Sequence, residues 1–160
     1  MPSKKGILIT AAIAAAVVGT SFIVWFIPTT SDNQSPPSNA YQEVYSSVYT
    51  GNNETAAQVD KLYQHWLSNK TDATEILTMI NQSLNQTEKS RAQLGQAQPS
   101  LQWQPAFSEY IKALDSFTKY LREMQSMVRS GKIGPGSVLA ADRQEWLQHV
   151  NASISAVPIS

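Results

Sequence analysis

The 160-residue sequence contains no cysteine, so neither disulfide bonds nor thiolate metal sites contribute to its structure. A nucleophile elbow and a phosphate-binding glycine loop are also missing. Its 12 basic and 12 acidic side chains are not gathered into a block of either sign, which argues against nucleic-acid binding. The two histidines, His65 and His149, fall on different predicted helices, and only Glu145 is one turn from His149. We therefore expect no enzymatic activity, cofactor or metal.

Charged residues are absent from residues 6–27, a run of 22 residues. As a helix this run would be about 33 Å long, which matches the hydrocarbon core of a bilayer. Lys4 and Lys5 precede it and the first charge after it is Asp32, so we expect the amino terminus in the cytoplasm. The sequence thus predicts a single-pass cell-membrane protein with a cytoplasmic tail (1–5), a transmembrane anchor (6–28) and an extracellular carboxyl-terminal part.

A cleavable signal peptide is an alternative interpretation of the same run. The small residues at 14–16 and 17–19 both resemble cleavage sites. Cleavage there would leave the apolar residues 22–27 at the start of a soluble domain, so we favour a retained anchor.

The residues Lys5-Gly6-Ile7-Leu8 ahead of the apolar run resemble the processing site of archaeal type IV pilin precursors, which are cut after the glycine. Pilin-like proteins often carry glutamate five residues into the mature chain, where this sequence has Ala11. The resemblance covers four residues. It implies a pilin-like filament subunit whose mature chain begins at Ile7, and this remains an alternative function.

Small residues follow four-residue spacing in the inner half of the predicted anchor. Close backbone approach across small residues is the main attraction between helices that already lie in lipid. The spacing therefore predicts a surface for a partner helix in the membrane, formed by Ala12, Ala15, Ala16 and Gly19.

Residues 29–39 contain two adjacent prolines and no periodic apolar residue. Such a segment buries too little surface to offset the entropy of ordering it, so we predict a flexible linker. An apolar period of three and four residues begins directly after it and continues to the end of the chain.

This period predicts an all-α, up-down bundle of about four helices over residues 40–158. In the first segment Gly51-Asn52-Asn53 interrupts the pattern, which leaves open two short helices or one long one. Asp72 and Glu75 have capping-box spacing at the start of a helix over 72–94, with a stop at Gly95. Its predicted inward face is Ile76, Leu77, Ile80 and Leu84.

The third helix is predicted to start near Pro105 and to end at Gly131. Its inward stripe is unbroken and consists of Phe107, Tyr110, Leu114, Phe117, Leu121, Met124 and Val128. A last helix, capped by Ser137 and ending before Pro158, carries Leu139, Trp146, Leu147, Val150 and Ile154. Because the tryptophans and tyrosines recur at helical spacing, we expect them in the core rather than around a ligand pocket.

Glycosylation acceptors are the most specific signal in the chain. Six of the eight asparagines begin Asn-x-Ser/Thr without an intervening proline, where composition alone would give about 1.5. The six are Asn33, Asn53, Asn69, Asn81, Asn85 and Asn151. Acceptors without any cysteine favour an archaeal cell surface, since small eukaryotic secreted domains are frequently disulfide-bonded.

These features together predict a membrane-anchored, extracellular helical-bundle glycoprotein. We expect a structural or interaction role, as an accessory subunit that binds a partner protein in the membrane or at the cell surface. The lipid bilayer is its other expected partner, and no small-molecule ligand is expected. An exported ligand-binding or sensory domain is an alternative, although the short predicted cytoplasmic tail leaves no room for a signalling module.

Overall fold

The computed structural model describes residues 38–131 and 137–158, and every regular element within these ranges is an α-helix. The helices are α1 (Ser38–Leu67), α2 (Ala73–Gln96), α3 (Gln104–Ser130) and α4 (Ser137–Ser155). The expected all-α class and the expected number of helices are thus confirmed for the described ranges. The predicted anchor and cytoplasmic tail lie outside them, as does the predicted linker up to residue 37. No helix within the described ranges has the length and apolar character needed to cross a bilayer.

The first segment is one continuous helix of 30 residues that passes through Gly51-Asn52-Asn53. Asn52 is buried, and its side-chain amide donates to the Val48 carbonyl at 2.7 Å and to the Ser90 hydroxyl of α2 at 2.9 Å. The polar residue that interrupts the apolar pattern is therefore a contact between two helices.

The turn between α1 and α2 explains both helix ends. Asn69 adopts a left-handed backbone conformation with φ of 54°. Its N–H donates to the Trp66 carbonyl at 3.0 Å, and the Lys70 N–H donates to the His65 carbonyl at 2.8 Å, which is the Schellman pattern. Asp72 then caps α2 by accepting a hydrogen bond from the Glu75 N–H at 2.8 Å, as the capping-box spacing predicts.

The boundaries of α3 and α4 agree with the sequence signals. Pro105 lies in the first turn of α3, and Gly131 ends that helix with φ of 64°, a conformation that glycine adopts without strain. α4 begins at Ser137 and ends at Ser155, ahead of Pro158. All seven residues of the predicted α3 stripe are buried.

Pairs of contacting side chains establish the up-down topology. Consecutive helices pack against each other. Hydrogen bonds join Tyr45 to Ser153 and Asp60 to Arg143, so α1 and α4 run in opposite directions. Asp60 also bonds to Tyr120, farther along α3 than the Tyr110 ring that contacts Tyr45, so α1 and α3 are parallel.

The inward face of α2 differs from the predicted one. Ile76 and Ile80 are buried as expected, but Leu77 and Leu84 are only half-buried. The remaining buried positions of this helix are Met79, Ser83, Thr87, Ser90 and Leu94. Hydroxyl side chains are tolerated there because they bond to backbone carbonyls or to Asn52, which offsets the cost of burying them.

The inward face of α4 also differs from the predicted one. Leu139, Trp146 and Val150 are buried as predicted, whereas Leu147 is half-buried and Ile154 is 44% exposed. The polar residues Asp142 and Ser153 take the inward positions instead. Hydropathy alone misplaces this stripe because it assigns every polar residue to the surface.

Candidate glycosylation sites and the polar contacts around them

Four of the predicted acceptor asparagines have exposed side chains: Asn69, Asn81, Asn85 and Asn151. Asn53 is half-buried, and Asn33 lies outside the described residues. The five described acceptors are distributed over α1, the turn after it, α2 and α4. Asn81 and Asn85 are one helical turn apart on α2, and Asn81 Oδ1 accepts a hydrogen bond from Gln125 at 2.7 Å. The predicted membrane-helix surface of Ala12, Ala15, Ala16 and Gly19 also lies outside the described residues.

Each acceptor motif also contains a serine or threonine two residues after the asparagine. The surroundings of this hydroxyl divide the motifs into two groups. In the first group, here called the helical sequons, both residues lie within a helix and the hydroxyl donates to a backbone carbonyl. Thr55 donates to Gly51 O at 2.7 Å, Ser83 to Met79 O at 2.8 Å, Thr87 to Ser83 O at 2.8 Å and Ser153 to Ala106 O at 2.7 Å. The helical sequons therefore start at Asn53, Asn81, Asn85 and Asn151.

The burial of these hydroxyls is deep in three of the four helical sequons. Ser83, Thr87 and Ser153 are at most 2% exposed, and Thr55 is half-buried. Because residues two apart on a helix point in nearly opposite directions, the asparagine faces solvent while its hydroxyl partner faces the core. These hydroxyls thus have a packing role of their own.

Asn69 and Thr71 form the second group, here called the turn sequon, which lies between α1 and α2. The Thr71 hydroxyl donates to the carboxylate of Glu75, an exposed side chain rather than a backbone group of the core. The positive φ of Asn69 favours asparagine over most other residues at this position, so the residue also has a structural reason to be there.

Ser153 connects a helical sequon to the centre of the bundle. Its single hydroxyl proton goes to the Ala106 carbonyl, so the Tyr45 hydroxyl is the donor in the 2.7 Å contact between Tyr45 and Ser153. Burial raises the pKa of Tyr45, and the hydrogen bond to Ser153 partly opposes that effect. Three helices therefore meet through one buried chain of hydrogen bonds.

Asp60 makes a second connection among three helices. Its carboxylate accepts a hydrogen bond from the Tyr120 hydroxyl at 2.7 Å and two from Arg143, at 3.0 and 3.2 Å. Burial and, secondarily, the bond to Asp60 raise the pKa of Tyr120. The hydrogen bond to Asp60 likewise raises the pKa of Arg143. The sequence pattern missed this cluster because its members are separated by 60 and 83 residues.

α3 and α4 are joined by two further charged clusters. Lys119 contacts the buried carboxylate of Asp142 at 2.8 Å and Glu145 at 3.3 Å, and the bond to Asp142 is the main cause of the raised pKa of Lys119. Glu109 accepts hydrogen bonds from Lys112 at 2.6 Å and pairs with His149 at 2.9 Å. These two partners, Lys112 first, lower the pKa of Glu109.

The contact partner of His149 is therefore Glu109, on α3, rather than Glu145, its neighbour on α4. His65 is near the end of α1, which lies beside the start of α4, whereas His149 is in the second half of α4. Within the ranges that the structure describes, no three side chains of His, Asp or Glu come together as a metal site would require.

The aromatic side chains occupy the core, as their spacing predicts. The three described tryptophans are buried, and so are all of the tyrosines except the half-buried Tyr49. The Tyr45 ring lies 5.4 to 6.2 Å from the rings of Tyr49, Trp103, Phe107 and Tyr110. The rings fill the interior by contacting one another, which favours packing over a ligand cavity.

A shallow groove of about 560 Å³ runs between α2 and α3 on the surface. Its charges are mixed, and Arg91 at its edge already pairs with Asp115 at 2.6 Å. The groove is lined by Leu84, Thr87, Glu88, Arg91, Ala92, Leu114, Thr118 and Arg122. It offers neither a converging set of polar groups nor a deep apolar floor for a small ligand.

The chain matches no protein-family model, no curated protein and no solved structure. Its function must therefore be inferred from its own residues and their arrangement.

Proposed function

We propose that this chain is a single-pass, membrane-anchored glycoprotein whose extracellular helical bundle has a structural or interaction role. In this proposal it is an accessory subunit of a membrane or cell-surface assembly. One observation carries the proposal: four asparagines of an unusually large set of acceptor motifs have exposed side chains. The uncharged run at 6–27, which supplies the proposed anchor, is the second support.

The contacts of the charged side chains support an interaction role over catalysis. Asp60, Asp142 and Glu109 are each paired with a basic or hydroxyl side chain from a neighbouring helix. A catalytic acid or base needs contact with a reacting group, whereas these carboxylates hold helices together. Four sequon asparagines, by contrast, have exposed side chains: Asn69, Asn81, Asn85 and Asn151.

The turn sequon lies at the carboxyl end of α1, and the Asn69 side chain is exposed to solvent. This position fits the attachment of a glycan. Asn69 lies two residues after Leu67, the last residue of α1. A helix of 30 residues spans about 45 Å, so α1 separates the turn sequon from the residue where the bundle begins.

Intact mass of the protein purified from its native host tests the glycans. We expect a mass above the 17.6 kDa of the chain, and a stepwise loss when Asn81→Gln and Asn85→Gln are introduced. At Asn69 the replacement is Asn69→Asp, because aspartate tolerates the positive φ better than glutamine. Asn39→Gln, which alters no acceptor motif, is the matched control. An unmodified native mass would contradict the proposal.

Protease accessibility and the mature amino terminus test the anchor. Protease added to intact cells should remove the bundle, and alkaline carbonate should leave the full-length chain in the membrane. A mature chain that starts at Ile7 would favour the pilin-like alternative. One that starts after Gly19 would show a cleaved signal peptide and contradict the anchor.

A further inference from the structure

The helical sequons present a geometric conflict. An enzyme that reads Asn-x-Ser/Thr must hold the asparagine amide and the hydroxyl of the second residue in one site. In a helix these two side chains point about 200° apart, so one site cannot hold both. Ser83, Thr87 and Ser153, at most 2% exposed, are also covered by neighbouring helices.

We infer that the folded bundle accepts a glycan only at the turn sequon, and that the helical sequons are accepted only before the bundle folds. This inference rests on the proposed glycoprotein function. It makes Asn69 the one acceptor of the described residues whose modification does not compete with folding. Occupancy of the other sites then reports how long the chain stays unfolded during export.

The chemistry is a glycosyl transfer from a lipid-linked oligosaccharide. The side-chain nitrogen of asparagine forms a bond to the anomeric carbon of the sugar and gives up one proton, which passes to solvent water. The bond from that carbon to the phosphate oxygen of the lipid carrier breaks, and the carrier phosphate leaves with the electron pair. The anomeric carbon must therefore approach the amide nitrogen while the hydroxyl residue of the same motif is bound in the enzyme's site.

The hydrogen bonds made by the serine or threonine raise the free energy needed to expose a helical sequon. Releasing Ser153 breaks its bonds to Ala106 and Tyr45, and releasing Thr87 breaks its bond to Ser83. Each release also unwinds a turn of helix inside the packed bundle. Releasing Thr71 breaks only its contact with the exposed Glu75 side chain.

The test uses the full-length chain, made without glycans, folded in detergent and verified by circular dichroism. It is incubated with a purified single-subunit oligosaccharyltransferase and a lipid-linked oligosaccharide, and the rate at each asparagine is measured by peptide mass spectrometry. Synthetic peptides over residues 48–60, 64–76, 77–91 and 147–157 are tested in parallel. In the folded chain we expect the helical sequons to react at least about tenfold more slowly than Asn69, because the open state is rare.

The peptides distinguish an effect of folding on the glycosylation rate from an effect of local sequence. They should all react at rates within about threefold of one another, since short helices are marginal in water. A rate at any helical sequon in the folded chain, whether at Asn53, Asn81, Asn85 or Asn151, that approaches the rate at Asn69 would overturn the inference. So would peptides that reproduce the difference seen in the folded chain.

A destabilised variant provides a second readout. Leu114 is 1% exposed in the core, so Leu114→Asp should open the bundle and raise the rates at the helical sequons while leaving Asn69 unchanged. Unchanged rates at the helical sequons would contradict the inference. The proposed function fails separately, if the native protein carries no glycan at all.

Discussion

The Asn52 side chain of α1 donates a hydrogen bond to the Ser90 hydroxyl of α2 across 2.9 Å inside the core. Asn52 is 3% exposed. Burying these polar groups costs desolvation free energy, and the hydrogen bond between them forms only when α1 and α2 pack in one register. The contact therefore explains why a polar residue, Asn52, lies in the middle of a long helix.

The pair Asn52 and Asn53 supplies a matched test of this contact. Asn52→Asp would place a charge in the core and should lower the free energy of unfolding by at least about 3 kcal/mol. Asn53→Asp, one residue further and half-buried, should change it by less than about 0.5 kcal/mol. Urea unfolding of the unglycosylated full-length chain measures both. Equal losses would contradict the assigned register.

The sequence predicts the fold well where apolar side chains dominate the core face. The α3 stripe from Phe107 to Val128 was predicted residue by residue, and Asp72 and Gly131 mark helix ends as expected. At Asn52, Ser83 and Ser153 the inward residue is polar, and its burial depends on a partner or a backbone carbonyl that hydropathy does not reveal. The number of helices in the first segment was left open for the same reason.

The candidate sites could likewise be predicted only in part from the sequence. The sequence alone indicates the acceptor motifs, and the structure shows that the side chains of Asn81, Asn85 and Asn151 are exposed. The burial of the paired hydroxyls depends on tertiary packing. The Asp60 cluster likewise joins three helices and has no local sequence signature.

Two tyrosines with different hydroxyl partners test the strength of the Asp60 cluster. Tyr120 donates to a carboxylate at 2.7 Å, whereas the Tyr63 hydroxyl faces the Met127 sulfur at 3.9 Å. Thioether sulfur is a weak acceptor, so Tyr63→Phe should cost less than about 0.5 kcal/mol. Tyr120→Phe should cost about 1 to 3 kcal/mol, because it leaves Asp60 without one of its donors. Similar unfolding free energies for the two variants would exclude a stabilising role for the Asp60 bond.

Alkaline conditions should destabilise the bundle through its buried tyrosines. Burial is the main cause of the raised pKa of Tyr110, whose ordinary value is 10.0. Above that pH the unfolded chain releases this proton while the folded chain retains it, so stability is complete below about pH 10 and falls as the pH rises. The loss amounts to about 1.4 kcal/mol per pH unit for one such group.

Tyr110→Phe removes this contribution and should flatten the pH dependence of unfolding between about pH 10 and 11. The measurement is the urea midpoint at several pH values, with the unsubstituted chain as the reference. Because the substitution also removes a hydroxyl, the slope with pH is the relevant quantity and the absolute stability is not. A slope identical to that of the unsubstituted chain would assign the alkaline sensitivity to other groups, such as Tyr45 and Tyr120.

The inner half of the proposed anchor is rich in small residues. Apolar burial does not drive contact between helices already in lipid, so close approach across Ala12/Ala16 and Ala15/Gly19 is the available attraction. Replacing Ala15 and Gly19 together by leucine keeps the segment hydrophobic and should leave insertion intact, while the larger side chains block close packing. Replacing Val17 and Val18 by leucine, which leaves both small-residue pairs in place, is the matched control.

Gentle detergent extraction from the native membrane, followed by identification of co-purifying proteins, measures the effect. Recovery of a partner, or self-association of the isolated anchor segment, should fall for the Ala15/Gly19 double variant and stay unchanged for the Val17/Val18 control. Loss of insertion in the double variant would contradict the premise that the segment remains an anchor. Unchanged recovery and self-association would instead mean that the anchor is only a tether, and that the contacts of the proposed assembly belong to the exposed surface of the bundle.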